Sequence, residues 1–141
     1  MSHALGAAIL VGHGLITSMI GFGAVTSPNA PAMALPAWFA WWPGPFGRSW
    51  VFDALSLGAG AQIVGGFVWL IAGLLIIAGG LGWFGLALFE GSRVTLLIAG
   101  GALSLVALAV YFHPFYLVAV VINIAIVLLL WGDFLAARSA V

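Results

Sequence analysis

From Ala4 to Val25 the chain runs 22 residues without a formal charge, which at ~1.5 Å per residue is about 33 Å, the depth of a bilayer's hydrocarbon core. A first membrane-crossing helix is therefore predicted over residues 4–25. The pattern then breaks. Residues 27–50 hold five of the six prolines (Pro28, Pro31, Pro36, Pro43, Pro45) and four of the seven tryptophans (Trp38, Trp41, Trp42, Trp50). Proline at that density forbids a continuous helix, and indole rings favour the headgroup level, where the ring meets apolar matter and its N–H stays wet. The segment is predicted to lie along one membrane face as an interfacial lid.

Apolar residues resume at Ala54 and continue to Phe89, 36 positions, more than the ~20 that one crossing needs. Gly79, Gly80 and Gly82 supply an interruption that suits a helix end, so a second helix is predicted over 57–79. The third covers at least 94–112 and starts as early as 83, with Glu90 and Arg93 paired at i,i+3. The alternative sets the turn at Gly91 and leaves the second helix long and tilted. After a turn at Phe112-His113-Pro114 a fourth helix is predicted over 115–131, with Asp133 and Arg138 beyond the hydrocarbon. The expected architecture is all-α: an integral membrane four-helix bundle, one domain over 1–141, with the Trp/Pro-rich lid between helices one and two. Neither a heptad nor a longer repeat is expected. Small residues at four-residue spacing, Gly14 with Ser18, Ala61 with Gly65 and Gly100 with Ser104, mark expected contacts, because helices in lipid associate by close packing.

Composition supports the bilayer as solvent: 65% of residues are hydrophobic and 4% charged, against roughly 25% charged in soluble domains. Zero net charge offers no basic surface to a polyanion, so no nucleic-acid partner is expected, and the absence of cysteine excludes thiol and thiolate-metal chemistry. No Lys or Arg precedes the first apolar run and no cleavage pattern follows it, so that run is expected to be a retained helix and not a signal peptide. Four crossings place both termini on one side with Arg93 and Arg138, and Arg48 with Asp53 and His113 on the other. The arginine count then favours cytoplasmic termini.

Catalytic motifs are missing: the sequence has no Gly-x-Ser-x-Gly, no HExxH, no phosphate loop and no paired carboxylates on one helix face. Function is sought instead in the polar side chains within the spans, which are costly in hydrocarbon and turn inward. These are His13, with Thr17 one turn on, Gln62, and Asn123. The plain reading is that they hydrogen-bond one another or backbone carbonyls and hold the bundle together. The functional reading is a polar site in an apolar cavity that opens toward the lid, with Arg48, Asp53 and His113 around its mouth. Arg48 and Asp53 are candidates for a lid ion pair. Trp38, Trp41 and Trp42 are either membrane anchors or an aromatic wall for a flat ligand. Neutral imidazole also ligates haem or chlorophyll, a role ranked lower for His13 because no second histidine stands at a bis-His spacing in its helix. No metal site is assigned.

Val11-Gly12-His13-Gly14-Leu15, then Gln62-Ile63-Val64-Gly65-Gly66 followed by Leu70-Ile71-Ala72-Gly73-Leu74-Leu75, resemble the DoxX-like family of small bacterial four-helix membrane proteins. Members commonly carry a basic residue shortly after His-Gly, where this chain has Thr17 and Ser18, and Glu before Gly-Gly, where it has Gln62. The resemblance implies a four-helix bundle of the bacterial inner membrane, in some members a subunit of a quinone-linked oxidoreductase. It matches His13 and Gln62 to the family's polar sites. Two functions are therefore carried forward. One is a non-catalytic integral subunit that packs against other membrane subunits of a redox or photosynthetic complex, with lipids as its remaining partners. The other is a quinone- or lipid-binding redox protein whose ligand meets His13, Gln62 and Asn123 beneath the tryptophans.

Overall fold

The computed structural model describes residues 3–32 and 34–139. Met33 of the lid and the Arg138 side chain, assigned above to the terminal side, lie outside the described residues. The elements are α1 (His3–Thr26), a 3-10 turn (Ala37–Phe39), α2 (Trp50–Ala54), α3 (Gly58–Trp83), α4 (Ala87–Glu90), α5 (Arg93–Val110), a 3-10 turn (Pro114–Tyr116) and α6 (Leu117–Ser139), with no strand among the described residues. Among the described residues four segments are long and apolar enough to cross a membrane: Ala4–Thr26, Gly58–Trp83, Arg93–Val110 and Pro114–Asp133.

Local chemistry sets the ends. α1 stops before Ser27-Pro28, since a residue ahead of proline is pushed out of the helical region. Before the second proline turn His113 is extended, at φ −143°, and Pro114 then opens the short 3-10 turn with its ring already at a helical φ. Between α3 and α4 the chain reverses at Gly85, whose φ of +89° few side-chain-bearing residues adopt.

α1 packs on α3, α3 on α5 and α5 on α6. At the first interface a Cβ on Gly14 would stand 2.8 Å from the Gly73 carbonyl, one on Gly73 2.6 Å from the Gly14 carbonyl, and one on Gly21 2.6 Å from the Gly66 carbonyl. Further along, a Cβ on Gly80 would meet Val11 at 2.9 Å. Gly14 and Gly21 thus oppose Gly73 and Gly66; Gly80, against Val11, keeps the seven-residue spacing on α3, and the fully buried Ala7 keeps it on α1. The expectation of no heptad is corrected here: the repeat is one of small residues, missed because hydrophobicity is uniform around these helices and carries no period. Rising numbers on α1 meet falling numbers on α3, so the two are antiparallel. The same holds for α3 with α5 (Gly79 against Leu97, Gly100 against Ile76) and for α5 with α6 (Gly101 against Ile126, Ser104 against Asn123). The start of α1 and the end of α6 therefore lie at one end of the bundle.

The second correction follows from the same packing. Gly79, Gly80 and Gly82 do not end a helix: α3 continues through them to Trp83, and the reversal comes at Gly85. They are glycines because α1, α5 and α4 press on them. A Cβ on Gly79 would lie 2.6 Å from Leu97, and one on Gly82 2.6 Å from the Phe89 carbonyl. Trp83, offered as the earliest start of the third helix, is the last residue of α3, and its ring lies under the Arg93 guanidinium at 5.7 Å. The third helix ends at Val110 instead of residue 112, and the fourth runs past Trp131.

Two buried clusters fill the bundle. Trp69, Leu108, Tyr111 and Tyr116 pack at the lid end, and Ile76, Leu97, Ile98 and Ile126 at the other. Large apolar side chains also face outward: Met19 is 73% exposed, Val118 71% and Leu129 79%, a surface far more apolar than water tolerates.

Candidate functional site: a pocket beneath the lid

Ser49 lies at the centre of the polar contacts at the lid end. It caps α2, accepting from the Phe52 N–H at 3.1 Å, and its hydroxyl donates to the Val110 carbonyl at 2.9 Å, which ties the lid to the end of α5. The Ser49 N–H donates to Gln62 Oε1 at 3.3 Å, and Gln62 Nε2 donates to Asp53 Oδ1 at 3.4 Å. Asp53 also receives Arg48 in a two-pronged pair, Nη2 to Oδ1 at 2.8 Å and Nε to Oδ2 at 3.3 Å. The same guanidinium reaches back with Nη1 to the carbonyls of Ala30 at 3.0 Å and Pro28 at 3.5 Å. Arg48 therefore staples the first residues of the lid to its last. Its pKa is raised further, chiefly by the hydrogen bond to Asp53. Beside it, the Tyr111 hydroxyl donates to the Gln62 carbonyl at 3.3 Å, and burial pushes that phenol up to about 12. Gly65 is a glycine because the Tyr111 ring fills the place of a Cβ, with ring carbons 2.8–2.9 Å away.

A separate polar group sits deeper. His13 Nε2 and Asn123 Oδ1 are 3.2 Å apart, and Asn123 Nδ2 donates to Ser104 Oγ at 3.0 Å and to the Ala119 carbonyl at 2.9 Å. A carbonyl only accepts, so the Asn123 amide is fixed with Oδ1 toward His13, and His13 must carry its proton on Nε2. This contact bridges α1 and α6 and reaches α5 through Ser104. Thr17 turns back on its own helix, donating to the His13 carbonyl at 2.8 Å. Thr17, Ser104 and Asn123 are each at most 2% exposed.

Between α1, the lid, the start of α3 and the 3-10 turn at Tyr116 lies a pocket of about 490 Å³. Its walls are apolar, with Ile16, Met19, Ile20 and Ala24 of α1 on one side and Phe46 and Tyr116 on another. Its polar groups, Arg48 and Gln62 with Ser27, gather at the lid end. The structure therefore separates what the sequence groups together. Gln62 joins Arg48 at the pocket's head, both bonded to Asp53 behind them, whereas His13, Thr17 and Asn123 form their own cluster, and none of those three lines the pocket. Trp38 and Trp41 point outward at 74% and 68% exposure. Trp42 packs edge-on against Phe112 at 5.1 Å and lines a smaller pocket of about 200 Å³ with Phe39, Phe46 and His113. His113 is buried there, with Nδ1 accepting from the Phe115 N–H at 3.1 Å, and burial lowers its pKa.

Sequence reasoning missed Ser49, Tyr111 and Ser104 as parts of these networks. Serine ahead of a short apolar run is an N-cap signal for Ser49, but nothing local points to the carbonyl its hydroxyl reaches, 61 residues away. No family model matches the chain, and no curated protein or solved structure matches it.

Proposed function

We propose that the chain is an integral membrane protein of the bacterial inner membrane. In this reading its four long helices cross the bilayer, both termini are cytoplasmic, and the lid lies at the opposite face. We further propose that it binds an amphiphile, a quinone or a lipid, in the pocket under the lid. The supporting observation is the polarity of that pocket: apolar walls from α1, with Phe46 of the lid and the Tyr116 ring, along its length, and Arg48 and Gln62 at the lid end. At about 490 Å³ it falls within the range of small-ligand sites, and in a bilayer its open side would face acyl chains. A chain-bearing ligand would enter sideways, tail first against Ile16, Met19 and Ile20, and leave its oxygen-bearing head at the lid. His13, Gln62 and Asn123 then have unequal roles. Gln62 stands at the head, while the His13–Asn123 contact holds α1 against α6 below it. An accessory-subunit role draws on the outward apolar faces of α1 and α6, which lipid alone also satisfies, so the pocket favours the ligand-binding reading. The DoxX-like resemblance agrees with a small redox-linked membrane protein but adds no residue to the pocket beyond Gln62.

The test is to fill the pocket. Gly23 lines it, and a Cβ there meets no atom within 4 Å, so Gly23→Phe adds bulk without disturbing the helix contacts. In protein purified in mild detergent, a long-chain diazirine amphiphile should crosslink to the segment around residues 16–28, and Gly23→Phe should abolish that crosslink with the melting temperature unchanged. Labelling confined to the outward face of α6, and insensitive to Gly23→Phe, would overturn the proposal.

A further inference from the structure

Resting on that reading of the pocket, we infer that its head end selects uncharged amphiphiles bearing a hydrogen-bond-accepting oxygen and rejects anionic ones. The reason is charge balance. Arg48 is the cation that lines the pocket, and an unpaired arginine there would attract a carboxylate or phosphate. It is not unpaired: Asp53 takes both Nη2 and Nε, and the Pro28 and Ala30 carbonyls take Nη1. Of the five guanidinium N–H groups, four are thereby engaged, and the pair carries no net charge. Gln62 contributes a neutral amide already fixed at both ends by Ser49 and Asp53.

An arriving anion would find its counter-charge already satisfied and the Asp53 carboxylate close behind it; with the Arg48 and Asp53 side chains 27% and 38% exposed, water screens part of that repulsion, but no net positive charge remains to draw the anion in. A carbonyl, ester or hydroxyl oxygen needs only one donor. Arg48 has one N–H remaining on Nη2, and the Gln62 amide has a second hydrogen beyond the one given to Asp53. The neutral oxygen thus gains a hydrogen bond without breaking the ion pair that staples the lid. A glyceride ester and a quinone carbonyl share this chemistry.

The test uses the full chain in nanodiscs of phosphatidylcholine. Two photoactivatable probes with the same sixteen-carbon chain are compared, one ending in a glycerol ester and one in a carboxylate, with labelling read at the α1 peptide that lines the pocket. The ester probe should label roughly tenfold or more strongly than the carboxylate. Competition by a monoacylglycerol or by a long-chain quinone then tells which source of neutral oxygen binds better. Asp53→Asn leaves Arg48 without its partner and should reverse the order in favour of the carboxylate. Because that variant also loosens the lid, the double variant Arg48→Gln with Asp53→Asn is the control, and it should keep the ester preference. Equal labelling by both probes, or a carboxylate preference in the unaltered protein, overturns the selectivity and leaves the pocket reading intact. Absence of pocket labelling by either probe overturns both.

Discussion

Placing one methyl group at the α1–α3 crossing tests how the bundle is held together. In Gly73→Ala the new Cβ would stand 2.6 Å from both the Gly14 carbonyl oxygen and the Ser18 nitrogen, backbone atoms with no rotamer by which to move aside. Ordinary contact for such a carbon begins near 3.4 Å, so the helices must separate by about 0.8 Å along the seam. Overpacking of this kind costs about 1–3 kcal/mol. Alanine offsets part of it, since it favours the helix over glycine by roughly 0.8–1 kcal/mol. The net expectation is a loss of up to about 2 kcal/mol. Gly12→Ala is the control: it lies on α1 two residues from Gly14, which faces Gly73, and its Cβ meets nothing within 4 Å, so only the propensity gain remains. Unfolding both variants by titrating denaturing detergent into mixed micelles should show Gly73→Ala less stable than the unaltered chain and Gly12→Ala equal or more stable. If the two shift together, the close approach of backbones is not what holds α1 to α3.

Asn123→Leu removes the three hydrogen bonds that this side chain makes, and at ~0.6 kcal/mol each in a membrane setting it should lose about 2 kcal/mol. A double-mutant cycle with His13→Leu should return a coupling of about 0.6 kcal/mol; additivity would show that the contact contributes nothing. Burial holds His113 below the ordinary imidazole range, so between its folded and unfolded pKa the unfolded chain binds more protons and stability falls as the pH drops below about 6.5. Detergent unfolding at about pH 7.5 and about pH 5.5 should show that fall, and His113→Gln should reduce it. Gly85→Ala places a side chain at φ +89° in open space, so it should cost roughly 1–2 kcal/mol through backbone strain alone, whereas Gly91→Ala, also in open space but at φ −68°, should not. Equal stability of those two variants would remove the reason given for Gly85.

The helices were legible because long uncharged runs are a strong signal. α1 matches its expected limits to within a residue at each end, since proline marks its exit. The reversal between α3 and α5 was not legible. Glycine both ends helices and admits close neighbours, and Gly79, Gly80 and Gly82 serve the second purpose while Gly85 serves the first. That distinction depends on which helix lies opposite, which local sequence does not encode. The polar residues showed the same limit. Their burial followed from the cost of polar groups in hydrocarbon, but their division into two clusters depends on Ser49, which caps α2, and Asp53 within it reaching over the start of α3 to Gln62. Periodicity says which face a residue shares, not which loop folds over it.

The claim on which the rest depends is that the long helices cross a membrane and leave the lid and the α3–α5 connection on opposite faces. The chain contains no cysteine, so single reporters can be introduced without background: Asn29→Cys in the lid and Ser92→Cys ahead of α5, both exposed positions. In sealed vesicles of known orientation, a membrane-impermeant maleimide should label one of them from outside and reach the other only after the vesicles are opened. Labelling of both from the same side, or of both irrespective of sealing, would contradict the account.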